Sequence, residues 1–255
     1  MILLIGGTTE AVPIARALLK VGFNVLLSTA TEMPPRGRLP ARLLRRTGML
    51  NAEGLAELIC TRGICAVVDA THPYAAATSV NAWHACRQTG IPYVAFDRPS
   101  TIGASFDGIF RAENHAEAAA LACSFRHPVL LTIGVRNLSP YVSAARQQGI
   151  PLVARVLNHP SSLAECRRAG LTTEEIVCAN GPFSVTENAS LIMRHHIGVL
   201  VTKDSGDAGG VRTKIIAAQT SKCRVVVIRR PARPQAGYPS IAALLKAIQT
   251  IFPGC

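Results

Sequence analysis

The chain has 255 residues, of which 49% are hydrophobic and 16% are charged, and its formal net charge is +12. This composition supports a sizeable core and excludes a largely disordered chain. Aromatic residues make up only 5%, which argues against a stacking surface for single-stranded nucleic acid. The positive charge favours an anionic partner, and a small molecule with several carboxylates or phosphates fits at least as well as nucleic acid or a membrane surface.

The chain also lacks the features of a secreted, membrane or metal-binding protein. No apolar run approaches the roughly 18 residues that span a bilayer, and Met1 leads directly into an apolar segment rather than a signal peptide. We therefore expect a cytoplasmic protein without a membrane partner. The eight cysteines include no C-x-x-C pair, so we expect buried, reduced thiols and no bound metal.

Short apolar runs predict about nine β-strands that alternate with helical patterns. The predicted strands are Ile2–Ile5, Phe23–Leu27, Cys65–Val68, Pro92–Phe96, Val129–Ile133, Leu152–Val156, Glu175–Cys178, Gly198–Val201 and Arg224–Ile228. The predicted helices span residues 9–20, 53–62, 74–89, 114–123, 138–148, 161–169, 184–195, 209–218 and 240–251.

Strict alternation of strands and helices is typical of parallel sheets with right-handed crossovers. We therefore predict an α/β fold with two Rossmann-like, doubly wound parallel-sheet domains and a ligand cleft between them. The polar stretch from Arg98 to about Arg126 is the best place for a boundary. We accordingly predict a dinucleotide-binding domain over residues 1–125 and a second α/β domain over residues 126–255.

A glycine-rich turn, Gly6-Gly-Thr-Thr-Glu10, follows the first predicted strand. In Rossmann-like folds this turn places a phosphate on the free N–H groups of the first helix. Gly6 and Gly7 are adjacent, so the full G-x-G-x-x-G pattern is absent. The turn still favours a nucleotide at residues 6–9; the alternative is a tight turn in which Thr8 or Thr9 caps the helix.

The second predicted strand ends in Ser28 and Thr29. In nucleotide-binding folds this strand end meets the adenosine ribose. Hydroxyl groups followed by Arg36 and Arg38 favour the 2′-phosphate of NADPH, whereas Glu32 keeps NADH open. Residues 31–51 form a long segment after this strand, and segments of this length more often have a function than serve only as connections.

The third predicted strand runs into Asp69-Ala-Thr-His-Pro-Tyr74. Its end lies at the same sheet edge as the glycine turn, so we expect Thr71, His72 and Tyr74 to face a ligand there. Pro73 suits the first position of a helix. The alternative for His72 is a capping or core-edge histidine.

The second half of the chain has polar groups after four successive predicted strands. The most informative segment is Val201-Thr-Lys-Asp-Ser-Gly-Asp-Ala-Gly-Gly210, which precedes Lys214. Glycines allow backbone amides to approach a ligand, and the lysines add positive charge. The aligned strand ends therefore predict a site rich in cations and amide donors, whereas a flexible loop with solvated charges is the alternative.

Taken together, these segments resemble the precorrin-6A reductase family of cobalamin biosynthesis, including its cobalt-precorrin-6A branch. The Asp-Ala-Thr-His-Pro and Lys-x-Ser-Gly motifs are the most specific, and Arg46-Thr-Gly-Met-Leu-Asn51 is more similar to the anaerobic branch, which is associated with NADH. The matching segments lie in the same order and span nearly the whole chain: Ile5-Gly-Gly-Thr-Thr-Glu-Ala11, Asp69-Ala-Thr-His-Pro-Tyr-Ala75, Asp97-Arg-Pro99, Leu131-Thr-Ile-Gly134, Gly181-Pro-Phe-Ser184, Thr202-Lys-Asp-Ser-Gly206 and Arg229-Arg-Pro231.

The resemblance implies that NADPH or NADH reduces one C=C bond of precorrin-6A or cobalt-precorrin-6A to the corresponding 6B product. It implies a cofactor site formed by Gly6, Gly7, Thr8, Thr9, Ser28, Thr29, Arg36, Thr71, His72 and Tyr74. It implies catalytic roles for Lys203, Asp204 and Ser205, with Lys203, Asp204 or water as the proton donor. The expected contacts to the anionic tetrapyrrole come from Arg136, Arg155, Gly181, Phe183, Ser184, Gly206 and Lys214.

Two other classes of protein stay open at this point. A nucleotide-sensing or nucleic-acid-binding α/β protein without catalytic activity would bind DNA or RNA in a strongly salt-dependent way. Another tetrapyrrole enzyme, of the uroporphyrinogen-III synthase type, would not need the Gly6-Gly7 turn. A short-chain dehydrogenase is disfavoured because the chain has no Tyr-x-x-x-Lys pair. The metal content of the substrate and the oligomeric state also stay open.

Overall fold

The computed structural model describes residues 1–31, 39–98, 100, 102, 108–206 and 209–253. The chain divides into two compact units, which we call unit 1 (Met1–Pro99 with Pro231–Cys255) and unit 2 (Ser100–Arg230). Over these residues each unit contains one sheet, with five strands in unit 1 and six in unit 2. All strand pairs are parallel. The prediction of two parallel-sheet α/β domains is confirmed.

Unit 1 has the strand order β3-β2-β1-β4-β5, which matches the first five strands of the dinucleotide-binding Rossmann order 3-2-1-4-5-6. Its strands are β1 (Ile2–Ile5), β2 (Val25–Thr29), β3 (Leu44–Thr47), β4 (Ala66–Asp69) and β5 (Tyr93–Ala95). Its helices are α1 (Ala11–Lys20), α2 (Ala52–Arg62), α3 (Ala76–Thr89) and, from the end of the chain, α9 (Ile241–Ile251).

Helices cover both faces of the unit 1 sheet. Leu4 packs with residues of α1 and α9 on one face, while Leu3 packs with residues of α2 and α3 on the other. Burial on both faces explains why β1 is a continuous apolar run rather than an alternating one. The sequence order reverses between β1 and β4, so their carboxyl ends meet at the switch point where ligands bind in such sheets.

Unit 2 has the order β6-β11-β10-β7-β8-β9. Read in the opposite direction, β9-β8-β7-β10-β11 corresponds strand by strand to β3-β2-β1-β4-β5 of unit 1. The switch point of unit 2 therefore lies between β7 and β10. Its strands are β6 (Ile109–Ala112), β7 (Val129–Leu131), β8 (Leu152–Val156), β9 (Ile176–Cys178), β10 (Val199–Lys203) and β11 (Arg224–Ile228). Its helices are α4 (His115–Ser124), α5 (Ser139–Gln148), α6 (Pro160–Arg168), α7 (Val185–Arg194) and α8 (Val211–Thr220).

The division of the chain differs from the predicted boundary at residues 125 and 126. That position falls inside unit 2, because β6 precedes it and pairs with β11, Val225 being opposite Ile109. The last residues of the chain belong to unit 1, where Tyr238 forms a bridge with Phe96 beside β5. The boundary was predicted from linear polarity, which carries no information about these long-range pairings.

Two strands of the structure, β3 and β6, were not predicted. Both lie at sheet edges, and neither has a buried apolar run: Leu44 and Arg45 of β3 are exposed, and Arg111 of β6 is exposed. Edge strands of this kind lack the pattern that sequence reasoning uses to recognise a strand. The nine predicted helices each match a helix of the structure to within about two residues, the usual uncertainty of helix ends.

Other features of the described residues bear on the sequence expectations. None of the helices described is long and apolar enough to cross a membrane. No cluster of three or more His, Cys, Asp or Glu side chains among these residues is arranged to hold a metal ion. Cys86, Cys123, Cys166 and Cys223 are buried free thiols, and burial raises the pKa of Cys86 to about 12.

Candidate functional site

The two glycines of the turn after β1, Gly6 and Gly7, have different structural roles. A Cβ on Gly6 would lie 2.7 Å from Leu27 Cδ1 and 2.9 Å from Ala11 Cβ, so close strand–helix packing requires glycine there. Gly7 is exposed and has a φ of +123°, a conformation that side chains of L-residues rarely adopt. Apart from its chain neighbours, no described residue has an atom within 4 Å of where its Cβ would be. Backbone at Gly7 is therefore open to a ligand.

Neither threonine of the turn caps α1, contrary to the alternative interpretation of the turn. The Thr8 hydroxyl donates to Ala70 O (3.0 Å), and the Thr9 hydroxyl donates to Glu10 Oε2 (3.1 Å). Glu10 occupies the N-cap position without a side-chain capping hydrogen bond, and its carboxylate pairs with Arg98 at 2.8 Å. Within the described part of the chain, therefore, no side chain caps the N-terminus of α1.

The end of β2 is linked to β3 by an arginine. Ser28 and Thr29 are buried, and Arg46 Nη1 of the neighbouring strand donates to Ser28 Oγ at 2.6 Å. Burial lowers the pKa of Arg46. The predicted ribose-side residue Arg36 lies outside the described residues. Sequence reasoning missed this contact of Arg46 with Ser28 because β3 itself was not predicted.

Asp69, the last residue of β4, is completely buried and organises the loop that follows. Its carboxylate accepts hydrogen bonds from the Thr71 N–H (2.9 Å), the Ser79 hydroxyl (2.6 Å) and the Tyr93 hydroxyl (2.6 Å). Arg233 Nη1 pairs with the same carboxylate at 3.1 Å. Burial and the negative charge of Asp69 raise the pKa of Tyr93.

The loop after Asp69 places His72 and Tyr74 next to each other. Their ring centroids are 5.7 Å apart, and the Tyr74 N–H donates to His72 Nδ1 at 3.3 Å. In this hydrogen bond Nδ1 of His72 is the acceptor. Pro73 does not begin the helix as predicted, because α3 starts three residues later at Ala76. Both rings are partly exposed at the switch-point end of β4.

In unit 2, the three predicted catalytic residues follow one another at the end of β10 but differ in environment. Lys203 is half-buried, and burial and the positive charge of Arg136 lower its pKa. Asp204 is buried and held by Arg230, which contacts its carboxylate at 3.2 Å and its carbonyl oxygen at 2.8 Å. Ser205 packs so closely on Gly209 that a Cβ there would lie 1.8 Å from its Oγ.

Among the predicted substrate contacts, Arg155 and Lys214 are deeply buried cations. Arg155 on β8 is 8% exposed, and its Cζ lies 4.0 Å from the centroid of the Phe183 ring. Lys214 on α8 is 9% exposed and donates to Gly209 O at 3.0 Å. Burial first, and then the charge of Arg155, lower the pKa of Lys214 to about 8.

The remaining predicted contacts have local structural roles or are exposed. The Ser184 hydroxyl belongs to a capping box with Glu187 at the start of α7, which is a structural task. Gly181 lies against Phe183, whose ring would meet a Cβ at 3.1 Å. Gly206 has a φ of +73°, which a turn at the end of β10 requires. Arg136 is exposed, and its charge acts on Lys203.

Two further features near these strand ends were not predicted. His115 contacts the Tyr141 hydroxyl at 3.0 Å, and burial, together with the charge of Lys203, lowers the pKa of His115 to about 4. Beside Asp204 there is also a cationic pocket of about 390 Å³. It is lined by Ser100, Ile102, Arg111, Asp204, Val227, Arg229 and Arg230. Its arginines come from β6 and from the residues after β11, elements that only the tertiary fold brings together.

The parallel strand order of unit 1 and the open glycine turn at its switch point define a Rossmann-type α/β protein. The particular family follows from comparison with known proteins. The family model described as "Precorrin-6x reductase CbiJ/CobK" matches residues 1–249. The chain belongs to this family.

Individual relatives agree with the family model. The chain is 31% identical over 232 residues to the cobalt-precorrin-6A reductase of Priestia megaterium, and the match covers 91% of each protein. It is 34% identical over 235 residues to the precorrin-6A reductase of Rhodococcus erythropolis, covering 92% of this chain and 91% of the relative. Relatives from both branches match at similar identity, so identity alone does not select the branch.

A solved structure described as CobK precorrin-6A reductase has the same fold. It superposes with a TM-score of 0.80 at 29% identity, covering 98% of this chain and 96% of that chain. These matches identify the protein as an oxidoreductase of the precorrin-6A reductase family in cobalamin biosynthesis. Membership of a reductase family implies a nucleotide cofactor.

Proposed function

We propose that the protein binds NADPH in unit 1 and uses it to reduce one C=C bond of precorrin-6A or cobalt-precorrin-6A, giving the corresponding 6B product. The observation that carries this proposal is the open turn at Gly7. Its backbone is exposed, with a φ of +123°, and only its chain neighbours among the described residues come within 4 Å of a Cβ there. It lies beside the N-terminus of α1, whose N-cap residue makes no side-chain capping hydrogen bond. A pyrophosphate fits such a cradle, because peptide N–H groups and the helix dipole favour negative charge.

The end of β2 supports NADPH over NADH. A carboxylate at this position would bind the ribose hydroxyls of NADH and repel a 2′-phosphate. Ser28 and Thr29 stand there instead, with the Arg46 guanidinium 2.6 Å from the Ser28 hydroxyl. Arginine is well suited to phosphate because it presents a planar fork of N–H donors.

The loop after β4 would border the nicotinamide ring. When bound, reduced nicotinamide supplies a hydride. The role of the protein is to hold that ring, and the Asp69 hydrogen bonds fix the backbone from which His72 and Tyr74 project. Thr71 acts through this network rather than by direct contact, because its N–H bonds Asp69 and its hydroxyl lies 3.3 Å from Ser79.

Unit 2 would hold the anionic tetrapyrrole, and Lys203 is our candidate for the proton donor. Its ammonium group is half-buried at the switch point, where a lowered pKa makes proton transfer easier. Asp204 is better suited to positioning, because Arg230 holds both its carboxylate and its carbonyl oxygen. The cationic pocket beside Asp204 adds a place for acetate and propionate groups.

Titration with NADPH and NADH, followed by optical spectra with precorrin-6A and with its cobalt form, tests this proposal. We expect submicromolar to micromolar binding of NADPH, weaker binding of NADH, and a change in the macrocycle spectrum that requires the nucleotide. Failure of both nucleotides to bind would refute the proposal. Salt-dependent binding of DNA or RNA without turnover would favour the nucleic-acid alternative. A cytoplasmic location is part of the proposal, because the reductant is drawn from the cellular nucleotide pool.

A further inference from the structure

Arg155 is a buried arginine that forms no ion pair with any residue the structure describes. The side chain is 8% exposed, and its guanidinium stacks on Phe183 with 4.0 Å between Cζ and the ring centroid. Within the described part of the chain, the guanidinium makes no hydrogen bond and no ion pair. Glu187 acts on it only through its charge, since the Glu187 carboxylate bonds the Ser184 N–H and hydroxyl.

A second buried cation lies within electrostatic reach of the first. Lys214 is 9% exposed, and its one hydrogen bond among the described residues goes to Gly209 O at 3.0 Å. No carboxylate in the same part of the chain acts on Lys214, whereas the charge of Arg155 lowers its pKa. Burial lowers the pKa of Arg155 to about 10. Both groups are nevertheless charged at pH 7, and they repel each other.

Such a pair is costly for the fold. Buried charges in proteins are normally paired, because removal from water costs several kcal/mol per ion unless a partner compensates. A surface ion such as Arg168, which is 72% exposed and paired with Glu165, carries no comparable cost. Two buried cations that form no ion pair within the described ranges are therefore best explained by an anion that binds between them from outside the chain.

The location of the pair is that of a ligand site. Arg155 lies on β8 and Lys214 in the first turn of α8, which follows β10. β8 and β10 flank β7 in the sheet, so the two cations come from either side of the switch point of unit 2. In open parallel sheets, ligands bind at this position.

The stacking on Phe183 indicates which anion suits the pair. The aromatic face holds the guanidinium plane and leaves the edge with its N–H donors to form two parallel bonds to a planar carboxylate. Lys214 supplies a point charge and further N–H donors. A guanidinium held in one orientation, next to the ammonium group of Lys214, is therefore suited to binding both oxygens of one carboxylate.

We propose that Arg155, stacked on Phe183, and Lys214 form a recessed subsite that binds one carboxylate arm of the tetrapyrrole. The inference rests on the proposed function for the identity of the ligand, and it assigns to this pair the task of anchoring the macrocycle in unit 2. Phe183 orients Arg155 and is a positioning residue. Loss of the two parallel N–H donors of the Arg155 guanidinium should weaken binding of the tetrapyrrole even when the positive charge is kept.

The test measures binding of uroporphyrin I, a planar tetrapyrrole with acetate and propionate arms, by its absorbance and fluorescence. We expect Arg155→Met and Lys214→Met to lower its affinity about 10- to 100-fold, the usual effect of losing a charge-assisted hydrogen bond. Arg155→Lys should fall in between, because it keeps the charge but loses the fork. The matched control is Arg168→Gln, which removes one exposed positive charge from the same unit and should leave affinity within about twofold.

Thermal unfolding of the ligand-free variants supplies a second readout. If the pair is a ligand site, Arg155→Met and Lys214→Met should leave the melting temperature unchanged or raise it, because an unpaired buried charge has been removed. A purely structural role predicts a lower melting temperature and unchanged porphyrin binding, and that result would overturn the proposal. Porphyrin binding that is absent in the wild type, or equal in Arg155→Met and the control, would also overturn it.

Two further measurements distinguish failure of the proposed carboxylate subsite from failure of the proposed reductase function. NADPH affinity, measured by nucleotide fluorescence, should be the same in all these variants, because the nucleotide residues lie in unit 1. Stabilisation by inorganic phosphate but not by uroporphyrin would overturn the carboxylate assignment. Failure of the wild type to reduce precorrin-6A would refute the proposed function, yet the porphyrin affinities would still decide the subsite.

Discussion

Asp69 and Arg233 form a buried ion pair, with 3.1 Å between Oδ2 and Nη1, although 164 positions separate them in the chain. Asp69 ends β4, and Arg233 belongs to the segment that returns to unit 1 after unit 2. Arg233 also donates to the carbonyl oxygen of Thr71 at 3.3 Å. The returning segment therefore holds the loop that carries His72 and Tyr74.

Replacing Arg233 by Met should destabilise the protein by about 3–5 kcal/mol, because Asp69 would remain buried without its counter-charge. Urea denaturation followed by circular dichroism measures this change. Arg229→Met is the matched control: its pair with Glu113 is exposed on both sides, 56% and 63%, and should contribute less than about 1 kcal/mol. Equal effects of the two variants would contradict the role of the buried pair.

The two glycines of the β1–α1 turn should respond differently to alanine. Gly6→Ala should cost about 1–3 kcal/mol of stability through overpacking against Leu27 and Ala11, with little effect on the NADPH affinity of the folded protein. Gly7→Ala should cost a similar amount through backbone strain at a φ of +123° and should also weaken NADPH binding about tenfold or more. Denaturation and fluorescence titration of both variants test this contrast. Unchanged NADPH affinity in Gly7→Ala would argue against the phosphate cradle.

Arg46→Gln should discriminate between the two nucleotides. We expect NADPH affinity to fall about 10- to 100-fold, since a charge-assisted bond to the 2′-phosphate is lost. NADH affinity should change by less than about threefold. Arg45→Gln removes a charge from the neighbouring, exposed position of β3 and serves as the control. A parallel loss for both nucleotides would exclude Arg46 as the residue that binds the 2′-phosphate.

Lys203→Met should lower kcat about 10²- to 10⁴-fold if Lys203 donates the proton, with a smaller effect on NADPH affinity. In the wild type, kcat should decrease as pH rises through the pKa of Lys203, which burial and Arg136 hold below the usual value for lysine. Steady-state kinetics across this pH range test both points. A wild-type kcat in Lys203→Met would indicate that water is the donor.

The stability of unit 2 should depend on His115 at acidic pH. Its pKa is lowered from 6.5 to about 4 in the folded state, so the unfolded state binds the proton first as pH falls. Its contribution to stability therefore decreases between about pH 6.5 and 4. Denaturation curves of the wild type and His115→Gln over this range should differ in slope, the variant being less sensitive to acid. Identical slopes would mean that His115 titrates normally.

The amino-acid sequence by itself determined the α/β class, the positions of the nine predicted helices and the glycine turn at Gly6 and Gly7. These features depend on local patterns: runs of apolar residues buried on both faces, helical periodicity, and glycine where a side chain does not fit. The motifs around His72 and Lys203 were also sufficient to suggest the family, because they lie within short segments.

Only the tertiary structure decided which distant residues act together. Edge strands β3 and β6 form because neighbouring strands satisfy their backbone groups, although their own sequences lack an apolar run. This pairing places Arg46 beside Ser28. Likewise, the partners of Asp69 depend on burial and long-range contacts. The same holds for Arg155, which makes no hydrogen bond or ion pair among the described residues. The energetic cost of a charge is set by its surroundings in the fold, and no local pattern records it.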